Sequence, residues 1–223
     1  MSQRRMSWIE LTKRLLSRSL GLKAVMALSG LGLTAWVTAH ALGNLLVFAG
    51  PELINGYGAA LQGSPILWVQ RAGLAVLTVA HVGSAVVVVR RGHHGRRERY
   101  RRPLTSRAST AASRSMRYGG LALGLYTAYH VAHIYGALHG DFVAGDVHHN
   151  VVAGLSDPVA ATLYLGAAIA LGFHLHHGAW SVFRTLGYDG RFEALLQRGT
   201  RTYAVLLTLA YAAPCLAALL GWL

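Results

Sequence analysis

The chain has 223 residues, 53% hydrophobic and only 13% charged, yet 21 Lys and Arg stand against 8 Asp and Glu for a net charge of +13. A soluble domain carries about 25% charged residues, and a nucleic-acid binder displays its basic residues on a wettable face; scarce, mostly positive charge gathered between long apolar runs marks a polytopic membrane protein instead. Cys215 is the single cysteine, which excludes an internal disulfide, a Cys-built iron–sulfur cluster and covalent haem attachment through Cys-x-x-Cys-His, so any metal falls to the 12 histidines.

Met1 to Lys23 carries Arg4, Arg5, Lys13, Arg14, Arg18 and Lys23 without a long apolar core or a small-residue cleavage site, and reads as a cytoplasmic N-terminal segment (1–21), not a cleaved signal. The first apolar run, 22–49, stops at Gly50-Pro51. Pro65 opens the second, 65–90, where a missing N–H costs little. A basic loop, 91–116, precedes the third run, 117–139; Pro158 opens the fourth, 158–183, and the fifth is 202–222. Each reaches the ~20 residues a helix needs to cross the hydrocarbon, and all are too long and continuous for barrel strands. The expectation is an all-α, single membrane domain over 1–223 with five transmembrane helices.

Charge orients it. All basic residues except Arg71 fall in the N-terminal segment, between Arg90 and Arg117, or at Arg184, Arg191, Arg198 and Arg201, whereas Glu52, Asp141, Asp146 and Asp157 occupy the other connections. The positive-inside rule puts the N-terminus and the basic loop in the cytoplasm and, after five spans, the C-terminus outside. The loop RRGHHGRRERYRRPLTSRASTAASRSMR serves this orientation, and is compatible with anionic lipid or a docking cytoplasmic subunit.

Histidines inside apolar runs are costly and therefore functional candidates. The first four runs each hold at least one: His40, His81, His130 with His133, and His174 with His176 and His177; the fifth has none. Counted at 1.5 Å per residue, His40 and His130 lie toward the outside and His81 and His174 toward the cytoplasm. Two imidazoles from different helices at one depth suit a bis-histidine haem b, and two such levels suit an electron wire. Gly43, Gly83, Gly124 and Gly178 leave room for a macrocycle or for ordinary helix packing. His133 competes with His130 for the third-helix position, and His177 is placed for a propionate or for water. His93-His94 and His148-His149 are expected in loops, without carboxylates at ligand spacing.

SGLGLTAWVTAHALGNLLVFAGPELINGYGAAL, AHVGSA, SMRYGGLALGLYTAYHVAHIYG and GFHLHHGAWSVFRTLG, in this order, resemble the single-subunit, di-haem cytochrome b membrane anchor of bacterial succinate:quinone oxidoreductases, which include the fumarate reductases. The resemblance spans about Lys23 to Trp222. It implies a haem-binding bundle of helices one to four, with His40/His130 and His81/His174 as the axial ligand pairs on iron. It further implies a flavoprotein with covalent FAD and an iron–sulfur protein on the cytoplasmic face, menaquinone as acceptor, a place in the succinate step of the tricarboxylic acid cycle, and the bacterial inner membrane as location. Substrate chemistry would then belong to the complex and not to this chain. Some fumarate reductases of this type carry a glutamate two residues before the fourth-helix ligand; Gly172 stands there, so a proton route through that position is not expected. Glu52, in the connection after the first run, is a candidate for quinone-linked proton handling near the outer haem or a plain loop acid. Two rival readings are a di-haem anchor of the hydrogenase or formate dehydrogenase kind, which the short outer connections disfavour, and a haem-free transporter with proton-relay histidines.

Overall fold

A computed structural model describes residues 19–94, 111–188 and 190–223; most of the N-terminal segment and the middle of the basic loop lie outside the described residues. The described chain is all helical: α1 (Ser19–Asn44), a 3-10 turn (Leu45–Ala49), α2 (Pro51–Gln62), α3 (Ile66–His94), α4 (Ala111–Ile134), α5 (Val147–Ser156), α6 (Pro158–Thr185) and α7 (Glu193–Leu219). Among the described residues, four segments are long and apolar enough to cross a membrane: 21–49, 66–91, 158–185 and 193–219. α4 has 24 residues, but Arg117, Tyr118, Tyr126, Tyr129, His130 and His133 dilute its apolar content, so it does not join the four on composition. The chain is a multi-pass membrane protein.

Several expected boundaries move. The third run ends at Ile134 instead of 139, because Gly136 adopts φ +78°, a left-handed conformation, and turns the chain. α7 begins at Glu193, nine residues earlier than the apolar run, so Arg198 and Arg201 sit in its first turns. Pro65 precedes α3 instead of starting it. His93 and His94 end α3, and His148 and His149 lie in the first turn of α5, so neither pair occupies a loop.

The order of elements has a rhythm that the apolar runs alone did not reveal. Long helix, short helix, long helix occurs twice, as α1–α2–α3 and as α4–α5–α6, before α7 closes the chain. Within each triplet the long helices pack lengthwise, α1 on α3 and α4 on α6, and the triplets meet through α1 on α6 and α2 on α5. α7 packs along α6 and also touches α1 and α5. Ala41, Leu175, Ala204 and Leu207 form a buried cluster where α1, α6 and α7 meet; Leu155, Cys215 and Ala218 form another where α5 reaches α7.

Outward surfaces invert the soluble pattern. Val69, Val76 and Val79 on α3, and Leu121 and Leu125 on α4, are each 64–73% exposed in the isolated chain, a row of aliphatic side chains that suits lipid tails. Hydroxyls are satisfied within their own helices: Ser29, Thr34, Thr38, Ser84, Thr127, Thr162 and Thr208 each bond a carbonyl four residues back, so none of these seven donors is left bare toward hydrocarbon.

Arg71, the one Lys or Arg outside the three basic groups of the sequence, is also accounted for. Its guanidinium sits 5.0 Å above the Trp68 ring and donates to Tyr135 Oη at 2.6 Å, tying the start of α3 to the segment just after α4.

Candidate haem-binding site

His40 lies four residues before the end of α1 and His130 four before the end of α4, whereas His81 and His174 sit near the middle of α3 and α6. The His40/His130 level is therefore closer to a helix end than a third run reaching 139 implied. The ring centres of His40 and His130 are 5.9 Å apart with planes at 74°, and those of His81 and His174 are 6.1 Å apart at 68°. Two imidazoles bound through nitrogen to opposite faces of one iron, with bonds of about 2 Å, have ring centres about 6 Å apart.

The backbones behind these rings stand apart. α1 and α4 hardly touch, and neither do α3 and α6, although each combination brings a histidine pair together. At Gly83, Gly124 and Gly178 nothing lies within 4 Å of where a Cβ would be, so the space beside them is open; Gly43 instead receives the Tyr57 ring at 3.1 Å. An apolar cavity of about 210 Å³, lined by Met116, Gly119, Ala170, Phe173 and His174, opens between α4 and α6. Rings that face each other across separated backbones, with an apolar hollow alongside, fit a flat hydrophobic macrocycle better than a compact metal ion. No cluster of three or more His, Cys, Asp or Glu at metal-binding distance occurs among the described residues.

Three of the four histidines are oriented by something other than their ring partner. His81 Nδ1 lies 3.0 Å from the Met26 carbonyl; donating there requires Nδ1–H and leaves the Nε2 lone pair free for a metal. His40 stacks on Trp36 at 4.9 Å and leans against Tyr211, whose hydroxyl donates to the Val37 carbonyl at 2.7 Å. His130 Nδ1 lies 2.9 Å from Tyr164 Oη. His174 Nδ1 is buried without a hydrogen-bond partner, an unsatisfied polar atom of the kind that marks functional sites; His176 Nδ1 shares that condition.

His133 stands differently. Only 6% exposed, it stacks between Tyr129 at 5.5 Å and His139 at 5.0 Å, and a Cβ at Gly154 would lie 2.8 Å from its Cε1. His177 is half-buried on α6. Glu52 lies in the first turn of α2, near Gly50. Gly172 is a contact point between α6 and α7, since a Cβ there would run into Thr208 Oγ1.

Sequence reasoning missed the cover over the His40/His130 end. α2 and α5 join there through Asn55, which donates to Asp146 Oδ1 at 3.0 Å and accepts from the His148 N–H at 2.9 Å. Asp146 also caps α5 by accepting from the His149 N–H, and that bond, with the Asn55 amide, holds its carboxyl below the ordinary carboxylate value. The signal was present as Asp146 before the α5 residues, but a ten-residue helix between two apolar runs carries too few periodic positions to stand out.

The model of one protein family, described as the succinate dehydrogenase/fumarate reductase transmembrane subunit, matches residues 90–216, which take in α4 to α7 with His130 and His174. No curated protein and no solved structure matches the chain.

Proposed function

The chain belongs to the succinate dehydrogenase/fumarate reductase transmembrane subunit family, and from that premise we propose that it is a di-haem cytochrome b anchor carrying electrons between a cytoplasmic iron–sulfur protein and menaquinone. The observation that carries this reading is the meeting of four imidazoles in two pairs, 5.9 and 6.1 Å between ring centres, across helices whose backbones hardly touch. When bound, two haem b groups held by these four histidines would supply one-electron transfer.

The chain's own residues do the holding. His40 with His130, and His81 with His174, would hold the two groups; the Met26 carbonyl fixes the tautomer of His81. Trp36 limits the rotation of His40. The lipid-facing valines of α3 and leucines of α4 keep water away from both levels, and α4 serves as the fifth span despite its tyrosines and histidines. The N-terminal segment and the basic loop face the cytoplasm, where the iron–sulfur and FAD-carrying subunits dock, with the C-terminus outside in a bacterial inner membrane.

The test is an optical spectrum of the purified complex with dithionite, together with haem quantification. Wild type is expected to hold two b-type haems per chain. His40→Ala and His130→Ala are each expected to leave about one, and His81→Ala or His174→Ala to remove the other. A reduced spectrum without a b-type α-band would refute the assignment.

A further inference from the structure

Tyr164, on α6, presents one hydroxyl to two histidines of α4: His130 Nδ1 at 2.9 Å and His133 Nδ1 at 3.0 Å. The hydroxyl has no other hydrogen-bond partner among the described residues. A phenol has one proton to donate and lone pairs to accept with; with no other acceptor for that proton among the described residues, satisfying it requires one histidine to receive from the hydroxyl, and the other then donates to it. If His130 donates, the chain of bonds runs His130 Nδ1–H to Tyr164 Oη–H to His133 Nδ1. His130 then has a bare Nε2 and His133 carries its proton on Nε2. The reverse arrangement protonates His130 Nε2 and bares that of His133. One hydroxyl proton thus permits a metal-binding Nε2 on one of these two residues and withholds it from the other.

Surroundings decide the direction. His130 faces His40, with Tyr126 stacked on its ring at 5.7 Å. His133 is enclosed by Tyr129 and His139 on its faces and by Gly154 at its Cε1, which leaves no space for a macrocycle. We propose that Tyr164 is the positioning residue that makes His130, and not His133, the α4 ligand, by accepting its Nδ1–H and spending the phenol proton on His133. The proposal rests on the di-haem reading above and adds to it a choice that spacing along α4 does not make.

It also makes the two levels unlike. At the inner level His81 leans on a backbone carbonyl, which no side-chain substitution removes. At the other, the acceptor is a side chain and can be deleted alone. Without an acceptor, a ligating imidazole donates less electron density to ferric iron, so the ferrous state gains.

The experiment is potentiometric titration and low-temperature EPR of the intact complex, with haem counting, for wild type, Tyr164→Phe and His133→Phe. Tyr164→Phe is expected to keep two haems and raise the midpoint of one of them, by about fivefold in its ferric–ferrous equilibrium, the size of one net hydrogen bond. The other midpoint should stay where it was, and the low-spin EPR signal of the affected haem alone should move. His133→Phe is expected to keep both haems and shift the same midpoint by less, and it remains informative should the Tyr164 variant fail to accumulate. Midpoints identical to wild type in the variants obtained, equal shifts of both haems, or loss of a haem in His133→Phe would overturn the proposal. A wild-type complex lacking two b-type haems would remove the parent reading and this one with it, and is recognised before any variant is compared.

Discussion

Gly154 shows how much a single absent side chain can fix. Its α5 backbone passes so near His133 and His139 that a methyl group would lie 2.8 Å from both rings, and both are buried. Gly154→Ala is therefore expected to push the stacked pair apart and destabilise the protein by about 1–3 kcal/mol through overpacking, seen as a lowered thermal midpoint in detergent. On the proposed di-haem reading, the His81/His174 haem should keep its spectrum and the His40/His130 haem should change, because His133 shares Tyr164 with His130. Unchanged spectra of both haems with unchanged stability would show that the contact relaxes at no cost. At this scale the sequence marks the residue types and little more. His130 and His133 are both legible as polar residues in an apolar run. Tyr164, 34 residues from His130, is not, since a hydrogen bond between helices leaves no trace in local spacing.

Helices α6 and α7 illustrate how elements are joined in this fold. At one end Arg184 meets Glu193 at 3.5 Å across the turn; this is an exposed pair, of small worth in water. Further along, Gly172 lets α7 approach so closely that Thr208 Oγ1, bonded to the Ala204 carbonyl at 2.8 Å, fills the place of a side chain. Gly172→Leu is expected to separate the two helices and cost more than about 3 kcal/mol, measured as loss of assembled complex on size exclusion, while Arg184→Ala should leave assembly intact. The same contact explains why a glutamate cannot occupy this position without displacing α7. Apolar run length and prolines made the long helices legible in the sequence. The end of α4 at Ile134 was not, because Tyr135 to His139 continues the composition of the helix while Gly136 breaks its conformation. α2 and α5 escaped for want of length.

Across the whole molecule, depth counting along the apolar runs groups the same four histidines that the rings bring together, because helix rise is constant and the runs begin at identifiable places. What such counting does not reach is the two-triplet plan, since α2 and α5, which complete each triplet, are too short to stand out beside the apolar runs. Each pair takes one imidazole from α1–α2–α3 and one from α4–α5–α6. Splitting the chain within 95–110 and producing the halves separately is thus expected to yield two fragments that show no bis-histidine b-type spectrum, and producing them together to restore it; a full spectrum from either half alone would contradict the pairing. Synthesis on the ribosome imposes the same division in time. The first triplet emerges complete while His40 and His81 still lack their counterparts, so the first pair can close only when α4 has entered the membrane and the second only when α6 has. On the di-haem reading, a chain ending before α4 would stay pale, one ending between α4 and α6 could hold only the His40/His130 pigment, and full colour would report that translation had reached α6.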